Sequence, residues 1–425
     1  MKAIHIKAAG TAEVQTGVPV PKLRDDYILV KPKAVALNPT DWKHIDFLAG
    51  PGARVGCDYS GIVEEVGSKV QNGIKIGDRV AGMIHGSNPS NHEDGSFAEY
   101  VVAKGALQMR IPDTLSFEDA ATLGAGIITM GQSLYQSLGL PLPNNPSKEN
   151  IPVLIYGGST ATGTLAIQFA KLSGLQVIVT CSPRNEKLVR DLGADFVFDY
   201  KSQTCAADIR SATNNRLAHA FDTIASNDSA QICCAAIGPQ GGKYTSLEPI
   251  EKLARDDVTK LNTMAFTAVG EAFEIAGFQV PAKEDDFAFA VMFTRLAQDL
   301  LTQQKFKPHP YGLSRAKYSW EILHIKEALI PDSPQQITHQ NNSTTLLIMK
   351  FPIKLLFATA IGGVVGLPVA VENSVATRGL GENADNMALL GRDYQEDAME
   401  KRGDEKAKQR FKEGARVGPQ RPSGW

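Results

Sequence analysis

The 425-residue sequence predicts an α/β protein in which a small β-rich module stands beside a doubly wound parallel sheet. Three patterns predict it. Residues 1–120 break into short β-type runs punctuated by Gly and Pro. Residues from 152 onward alternate apolar strands with helix-length segments, the rhythm a parallel sheet with crossover helices requires. One of those strands opens through a glycine-rich turn directly into a helix.

Taken in order, Met1-Lys-Ala-Ile-His-Ile-Lys7 alternates as a strand does, and β-type runs follow at 27–32, 61–66, 78–83 and 97–103. Glycines in 61–67 and 77–82 stand where strands turn sharply or approach one another. From Ser116 the texture becomes helical. Pro152–Tyr156 is an apolar run of the kind buried on both faces, and it leads into Gly157-Gly-Ser-Thr-Ala-Thr-Gly163 and a helix reaching Leu172. Gln176–Cys181 is the next strand; a helical stretch at 185–192 and strands at 195–198, 218–223 and 241–247 complete the βαβαβ pattern.

Composition bounds the function. Lys and Arg total 44 against 46 Asp and Glu, and 43% of residues are hydrophobic, which excludes a generic polyanion binder and a wholly disordered chain. Cys57, Cys181, Cys205, Cys233 and Cys234 include no Cys-x-x-Cys pair, so they read as reduced thiols. With no apolar leader at Met1, residues 1–310 read as soluble and cytoplasmic, with no membrane or nucleic-acid partner. The end of the chain is different. Residues 311–348 read as an atypical linker. Residues 349–425 begin like a secretory signal, with an apolar run at 355–370, and finish as a polar tail of disordered composition, as if a second reading frame were joined to the first.

The glycine turn carries the chemistry. Small residues between a strand and a helix let the backbone approach a pyrophosphate whose charge rests at the helix N-terminus, and Ser159, Thr160 and Thr162 add hydroxyls. A purely structural glycine turn is the alternative. At the end of the second strand a site for NADH offers Asp or Glu to the ribose; here stands Thr180-Cys181-Ser182-Pro183-Arg184-Asn185. Ser182 and the planar fork of Arg184 suit a 2′-phosphate, so NADPH is the expected cofactor, with a solvated loop arginine as the alternative.

These residues, together with Asn38-Pro39-Thr40-Asp41-Trp42-Lys43, Gly56-Cys57-Asp58 and Gly77-Asp-Arg-Val80, resemble the medium-chain dehydrogenase/reductase superfamily. Tyr156 through Thr162, Thr180 through Pro183, Val197-Phe-Asp-Tyr200 and Ala235-Ala-Ile-Gly238 resemble more narrowly the trans-acting enoyl reductases of fungal polyketide synthases, of the lovastatin type. The resemblance implies a GroES-like catalytic domain at 1–120, completed by about 263–310, and a Rossmann domain at 121–262. It implies that the zinc ligands of the alcohol dehydrogenases are replaced at Asn38–Asp41 and Gly56–Asp58, leaving no metal; His85, His92, Glu93 and Asp94 read as solvated loop residues.

The resemblance also implies NADPH contacts from Thr40, Asp41, Trp42, Lys43, Ser159, Thr160, Ala161, Thr162, Ser182, Pro183, Arg184, Asn185, Tyr200, Leu247 and Glu248. Gly124-Ala125-Gly126-Ile127-Ile128-Thr129-Met130-Gly131 and Phe266-Thr267-Ala268-Val269-Gly270 would line the substrate cavity, core packing being the alternative. The implied activity is NADPH-dependent reduction of an α,β-unsaturated polyketide thioester in secondary metabolism, with a polyketide synthase, or a synthase–peptide synthetase hybrid, and its acyl carrier domain as partner. Lys43 is the candidate catalytic cation for the thioester carbonyl, a phosphate- or surface-facing lysine being the alternative. A free-standing quinone or enone reductase and a non-catalytic NADPH-binding protein are the rival functions. The cofactor-touching strand with which the family usually ends is not recognisable after Tyr311.

Overall fold

The computed structural model describes residues 1–314 and 345–348. A hairpin of β1 (Ala3–Ala8) and β2 (Thr11–Gln15) opens the catalytic module. Its sheet is organised by β3 (Tyr27–Ala36), which pairs antiparallel with β4 (Asp58–Val66) along its length; β5 (Arg79–Met83) continues beyond β4, β6 (Val101–Lys104) pairs the first half of β3, and β7 (Gln108–Arg110) borders β5. Period-two alternation places Ile28 and Val30 in one core with Ile4, Ile6 and Val63, while Tyr27 and Leu29 pack on the opposite face with Val102. Pro32 is accommodated by a register shift in β3, opposite Gly61, where a Cβ would run into the Lys31 carbonyl.

Two short helices carry the module toward the second domain. α1 (Pro39–Lys43) runs into a π-turn over His44–Leu48. α2 (Phe117–Ala121) is capped by Ser116, whose hydroxyl accepts from the Asp119 amide at 3.0 Å, and α3 (Gly124–Gly131) continues into a second π-turn, Gln132–Ser137.

The second sheet is wholly parallel, in the order β10-β9-β8-β11-β12-β13. β8 (Pro152–Tyr156), β9 (Gln176–Cys181) and β10 (Phe196–Asp199) wind outward in one direction; β11 (His219–Asp222), β12 (Gly242–Ser246) and β13 (Val258–Asn262) wind outward in the other. β8 is buried on both faces: Val153 and Ile155 join the larger core with Leu165 and Phe169, whereas Leu154 and Tyr156 join the opposite one with Ile209 and Cys233. The crossover helices are α4 (Ala161–Leu172), α5 (Glu186–Asp191), α6 (Cys205–Ala212) and α7 (Asn227–Ala236). All five cysteines are buried free thiols.

After β13 the chain returns across the cleft through the hairpin β14 (Phe273–Ile275) and β15 (Phe278–Val280), then α8 (Glu284–Thr302), which sends Phe293, Ala297 and Leu301 into the larger core. The segment behind α8 is tied to α4: the Gln168 side chain donates to the Lys307 carbonyl at 3.0 Å and accepts from its amide at 2.8 Å. Buried His309 meets Thr164 at 2.9 Å. β16 (Gly312–Ser314) and β17 (Thr345–Ile348) then extend the catalytic sheet, β17 lying parallel to Ala34–Ala36 of β3. The sequence offers only linker over 311–348, so both strands are additions to that reading. The rest of that stretch and the signal-like and polar segments lie outside the described residues. Among the described residues no helix is long and apolar enough to cross a membrane.

Candidate nicotinamide and substrate site

The parallel sheet reverses its winding between β8 and β11, and the crevice at the carboxyl ends of those two strands is where such sheets bind ligands. The glycine turn lies there. The Gly157 amide reaches the Thr180 hydroxyl at 3.1 Å, and the Gly158 amide reaches the Thr180 carbonyl at 3.0 Å, so the turn is fastened to β9. Gly157 has φ 80°, and a Cβ on it would stand 2.6 Å from the Thr223 hydroxyl. Gly163 allows the first turn of α4 to press against the Gly157 carbonyl, which any side chain would displace.

Thr160 caps α4 by accepting from the Gly163 amide at 3.0 Å and donates to Thr223 at 3.0 Å, so its hydroxyl shapes the loop. The Thr162 hydroxyl, half-exposed on the first turn, meets no partner among the described residues. Ser159 accepts from Asn185 Nδ2 at 3.0 Å, which joins the glycine turn to the Ser182–Asn185 loop. Arg184 is exposed and takes part in no ion pair among the described residues. Cys181 and Asp199 are register partners, so Ser182 and Tyr200 emerge side by side from β9 and β10. The Tyr200 hydroxyl is buried without a hydrogen-bond partner. A glycine cradle under a helix N-terminus, an unpartnered phenol and a free guanidinium at one sheet edge fit a dinucleotide.

Across the cleft, Lys43 Nζ lies 2.5 Å from Glu248 Oε1, so the catalytic module and the loop after β12 meet through two of the expected cofactor residues. Trp42 is edge-on to Phe47 at 6.2 Å, the Thr40 hydroxyl lies 3.1 Å from His44 Nδ1, and Leu247 packs against the larger core. Beneath them is a buried polar knot. Asn38 donates its backbone amide to Asp41 Oδ2 at 2.7 Å and its side-chain amide to Asp58 Oδ2 at 2.9 Å, while Asp58 Oδ1 accepts the Ala125 amide at 2.5 Å. Burial pushes each carboxyl up to about 7. Burial also raises the Cys57 thiol.

The two segments expected at the substrate pack together. Ile128, Ala268 and Val269 share a cluster with Met83, Leu107 and Ala290, and Ala125 and Phe266 lie against it. Along α3 the half-exposed side chains are Ala125 and Thr129, with Gly126 beside them; Ile127 and Met130 instead join the larger core. Thr267 donates to Asp286 at 2.5 Å.

His85 and Asp94 are not solvated, as their loop context suggests they should be. The His85 ring stacks on Phe266 at 4.1 Å and meets Phe273 edge-on at 4.6 Å, and burial lowers it to about 3. Asp94 is covered because Arg24 and Asn88 donate to it at 2.6 and 3.1 Å. Sequence patterning carried Thr180 only as the start of the Thr180–Asn185 run and gave no role to Thr223 or Asp222. Asp222 Oδ1 receives the Ile224 and Ala225 amides and Oδ2 receives Ser229 and Tyr244, which sets the loop after β11; the one available signal was an Asp-Thr pair ending a strand. Among the described residues no three His, Cys, Asp or Glu side chains gather as metal ligands would.

A GroES-like sheet facing a six-stranded dinucleotide-binding sheet defines a medium-chain dehydrogenase/reductase, an oxidoreductase that binds a nicotinamide cofactor. The chain matches the alcohol dehydrogenase GroES-like domain over residues 24–113 and the zinc-binding dehydrogenase family over residues 161–246. An alcohol dehydrogenase superfamily protein from Novosphingobium aromaticivorans shares the fold, with a TM-score of 0.64 at 22% identity over 82% of this chain and 99% of that one. CurK enoyl reductase gives 0.61 at 16% identity over the same shares.

Sequence relatives narrow the family. Trans-enoyl reductase ACTTS2 of Alternaria alternata is 50% identical over 313 residues, 73% of this chain and 90% of the relative. Trans-enoyl reductase TOXD of Cochliobolus carbonum is 53% identical over 272 residues, 64% of this chain and 91% of the relative. The chain belongs to the trans-enoyl reductase family.

Proposed function

We propose that this protein uses NADPH to reduce the carbon–carbon double bond of an α,β-unsaturated polyketide thioester, working in trans on the acyl carrier domain of a polyketide synthase in secondary metabolism. Its relationship to the trans-enoyl reductases, at 50% identity across 90% of one of them, carries that reading. The absence of an acidic residue after β9, where Ser182 and the unpaired Arg184 stand, supports NADPH over NADH.

In this reading Gly157, Gly158 and the N-terminus of α4 hold the pyrophosphate, Ser159, Thr162 and Asn185 border it, and Tyr200 and Arg184 hold the adenosine end. The bound nicotinamide would supply a hydride to the β-carbon, and the resulting enolate would take a proton from solvent at the α-carbon to give the saturated thioester. Lys43, oriented by Glu248, places its ammonium toward the thioester carbonyl and stabilises the enolate oxygen as charge develops there. Ala125, Thr129 and Phe266 bound the acyl group and keep water from it.

The test is NADPH consumption by the purified full chain with a crotonyl thioester on an acyl carrier domain, the same thioester on free pantetheine, and a simple quinone. Reduction of the thioester, faster on the carrier, is expected; turnover of the quinone alone would overturn the assignment.

A further inference from the structure

We infer that Glu271 is a positioning residue for the acyl group: its carboxylate locks the Phe266–Gly270 wall of the substrate site onto the catalytic module. The inference rests on the proposed enoyl reductase reading. After β13 the chain crosses from the nucleotide sheet to the catalytic module, and most of the contacts that receive it are apolar: Phe266, Phe273 and Val280 pack with Leu48 and Met264. Such contacts are non-directional and tolerate sliding. Phe266 itself lies between two imidazoles, stacked on His85 and edge-on to His44 at 5.5 Å, neither of which grips it by a hydrogen bond.

Glu271 supplies most of the direction, beside the Glu274 amide, which donates to the Ser90 hydroxyl at 2.8 Å. Glu271 Oε1 accepts from the Tyr27 hydroxyl at 2.7 Å and from Lys104 Nζ at 2.8 Å, while Oε2 lies 3.5 Å from Arg24 Nη1. All three partners belong to the catalytic module, ahead of β3, at its first residue and at the end of β6. They are braced in turn. Arg24 is held by Asp94 at 2.6 Å and Lys104 by Asp26 at 2.7 Å. The Arg24 guanidinium and the Lys104 ammonium both sit over the Tyr27 ring, at 3.4 and 5.0 Å. A carboxylate held by two hydrogen bonds and an ion pair in fixed directions sets the register of its segment.

Gly270, immediately before Glu271, takes φ 73° and has Phe287 where a Cβ would stand, at 2.8 Å, so the chain turns without slack between Phe266 and the anchor. A displaced anchor therefore displaces the substrate wall, and small misplacements of a bound reactant are costly to catalysis.

Glu271→Gln keeps a neutral acceptor for Tyr27 and leaves Asp26 and Asp94 to balance Lys104 and Arg24, so the module should remain folded. In the full chain this variant should raise KM for crotonyl-pantetheine about tenfold, as expected for loss of one charge-assisted anchor. NADPH affinity, read separately by fluorescence titration, should stay within about twofold of wild type because the glycine turn is untouched. Glu271→Asp should restore part of the KM. Glu274→Gln, which removes a half-exposed carboxylate three residues on whose partner is Gln279 within the same hairpin, should match wild type. A wild-type KM in Glu271→Gln, or an equal rise in Glu274→Gln, overturns the inference alone. Wild-type protein that binds NADPH but leaves every thioester unreduced overturns the functional reading and this inference with it.

Discussion

Asp58 makes stability fall as pH rises, and Asp58→Asn measures by how much. The side chain is fully buried beneath α3, and its carboxyl titrates at about 7 against an ordinary value of 3.8 because burial disfavours the charge. Between those pH values the folded protein keeps a proton that the unfolded chain has released. The stabilisation is therefore complete below the unfolded value and is lost as pH rises through about 7. At about 1.4 kcal/mol per pH unit the whole effect is about 4 kcal/mol, of which about 3 falls between pH 5 and pH 8. Asp41, raised to about 7 by burial with Asp58 adding to it, acts in the same direction.

The side chain introduced by Asp58→Asn cannot titrate, and its amide would face one of the two donors, Asn38 Nδ2 or the Ala125 amide, at a pH-independent cost of about 1–3 kcal/mol. Urea unfolding of both proteins at the two pH values separates these effects. Wild type should lose about 3 kcal/mol relative to Asp58→Asn on going from pH 5 to pH 8. A stability difference that does not change between the two would refute the reasoning.

Gly163→Ala should drive its Cβ into the backbone of the glycine turn, and overpacking strain of about 1–3 kcal/mol predicts NADPH binding weaker by roughly ten- to hundredfold in a fluorescence titration. Arg184→Ala should weaken NADPH about tenfold or more while leaving NADH affinity unchanged; equal losses for both would remove the 2′-phosphate role. Lys43→Ala should lower kcat about hundredfold under saturating NADPH, and unchanged turnover would take Lys43 out of the chemistry.

What was legible in the sequence was local. The strand–glycine–helix unit at Pro152–Leu172 and the strand Gln176–Cys181 announce themselves because short apolar runs buried on both faces and a compulsory glycine turn leave little choice of structure. β13 went unread: Val258-Thr-Lys-Leu-Asn262 lies at the sheet edge, is mostly half-exposed, and lacks an apolar run. β17 went unread because Thr345–Ile348 is only four residues long and takes its pairing from β3, some three hundred positions earlier.

The site divides in the same way. Ser159, Ser182 and Arg184 are expected at the cofactor from the spacing of the glycine turn and the loop after β9 alone. Asp58 and Glu271 owe their roles to partners far away in the chain, Ala125 in one case and Tyr27 with Lys104 in the other, and no window of sequence contains both halves of those contacts. His85 read as solvent-facing because its neighbours are polar; two phenylalanines from the returning segment bury it.

The most direct measurement of the enoyl reductase assignment is the fate of deuterium from NADPH labelled at both C4 positions of the nicotinamide, so that either face delivers the label. With crotonyl-pantetheine and the full chain, mass spectrometry should find one deuterium at the β-carbon of the saturated thioester and a solvent-derived hydrogen at the α-carbon. Saturated product without the label, or labelled NADPH consumed only when a quinone is present, would contradict it.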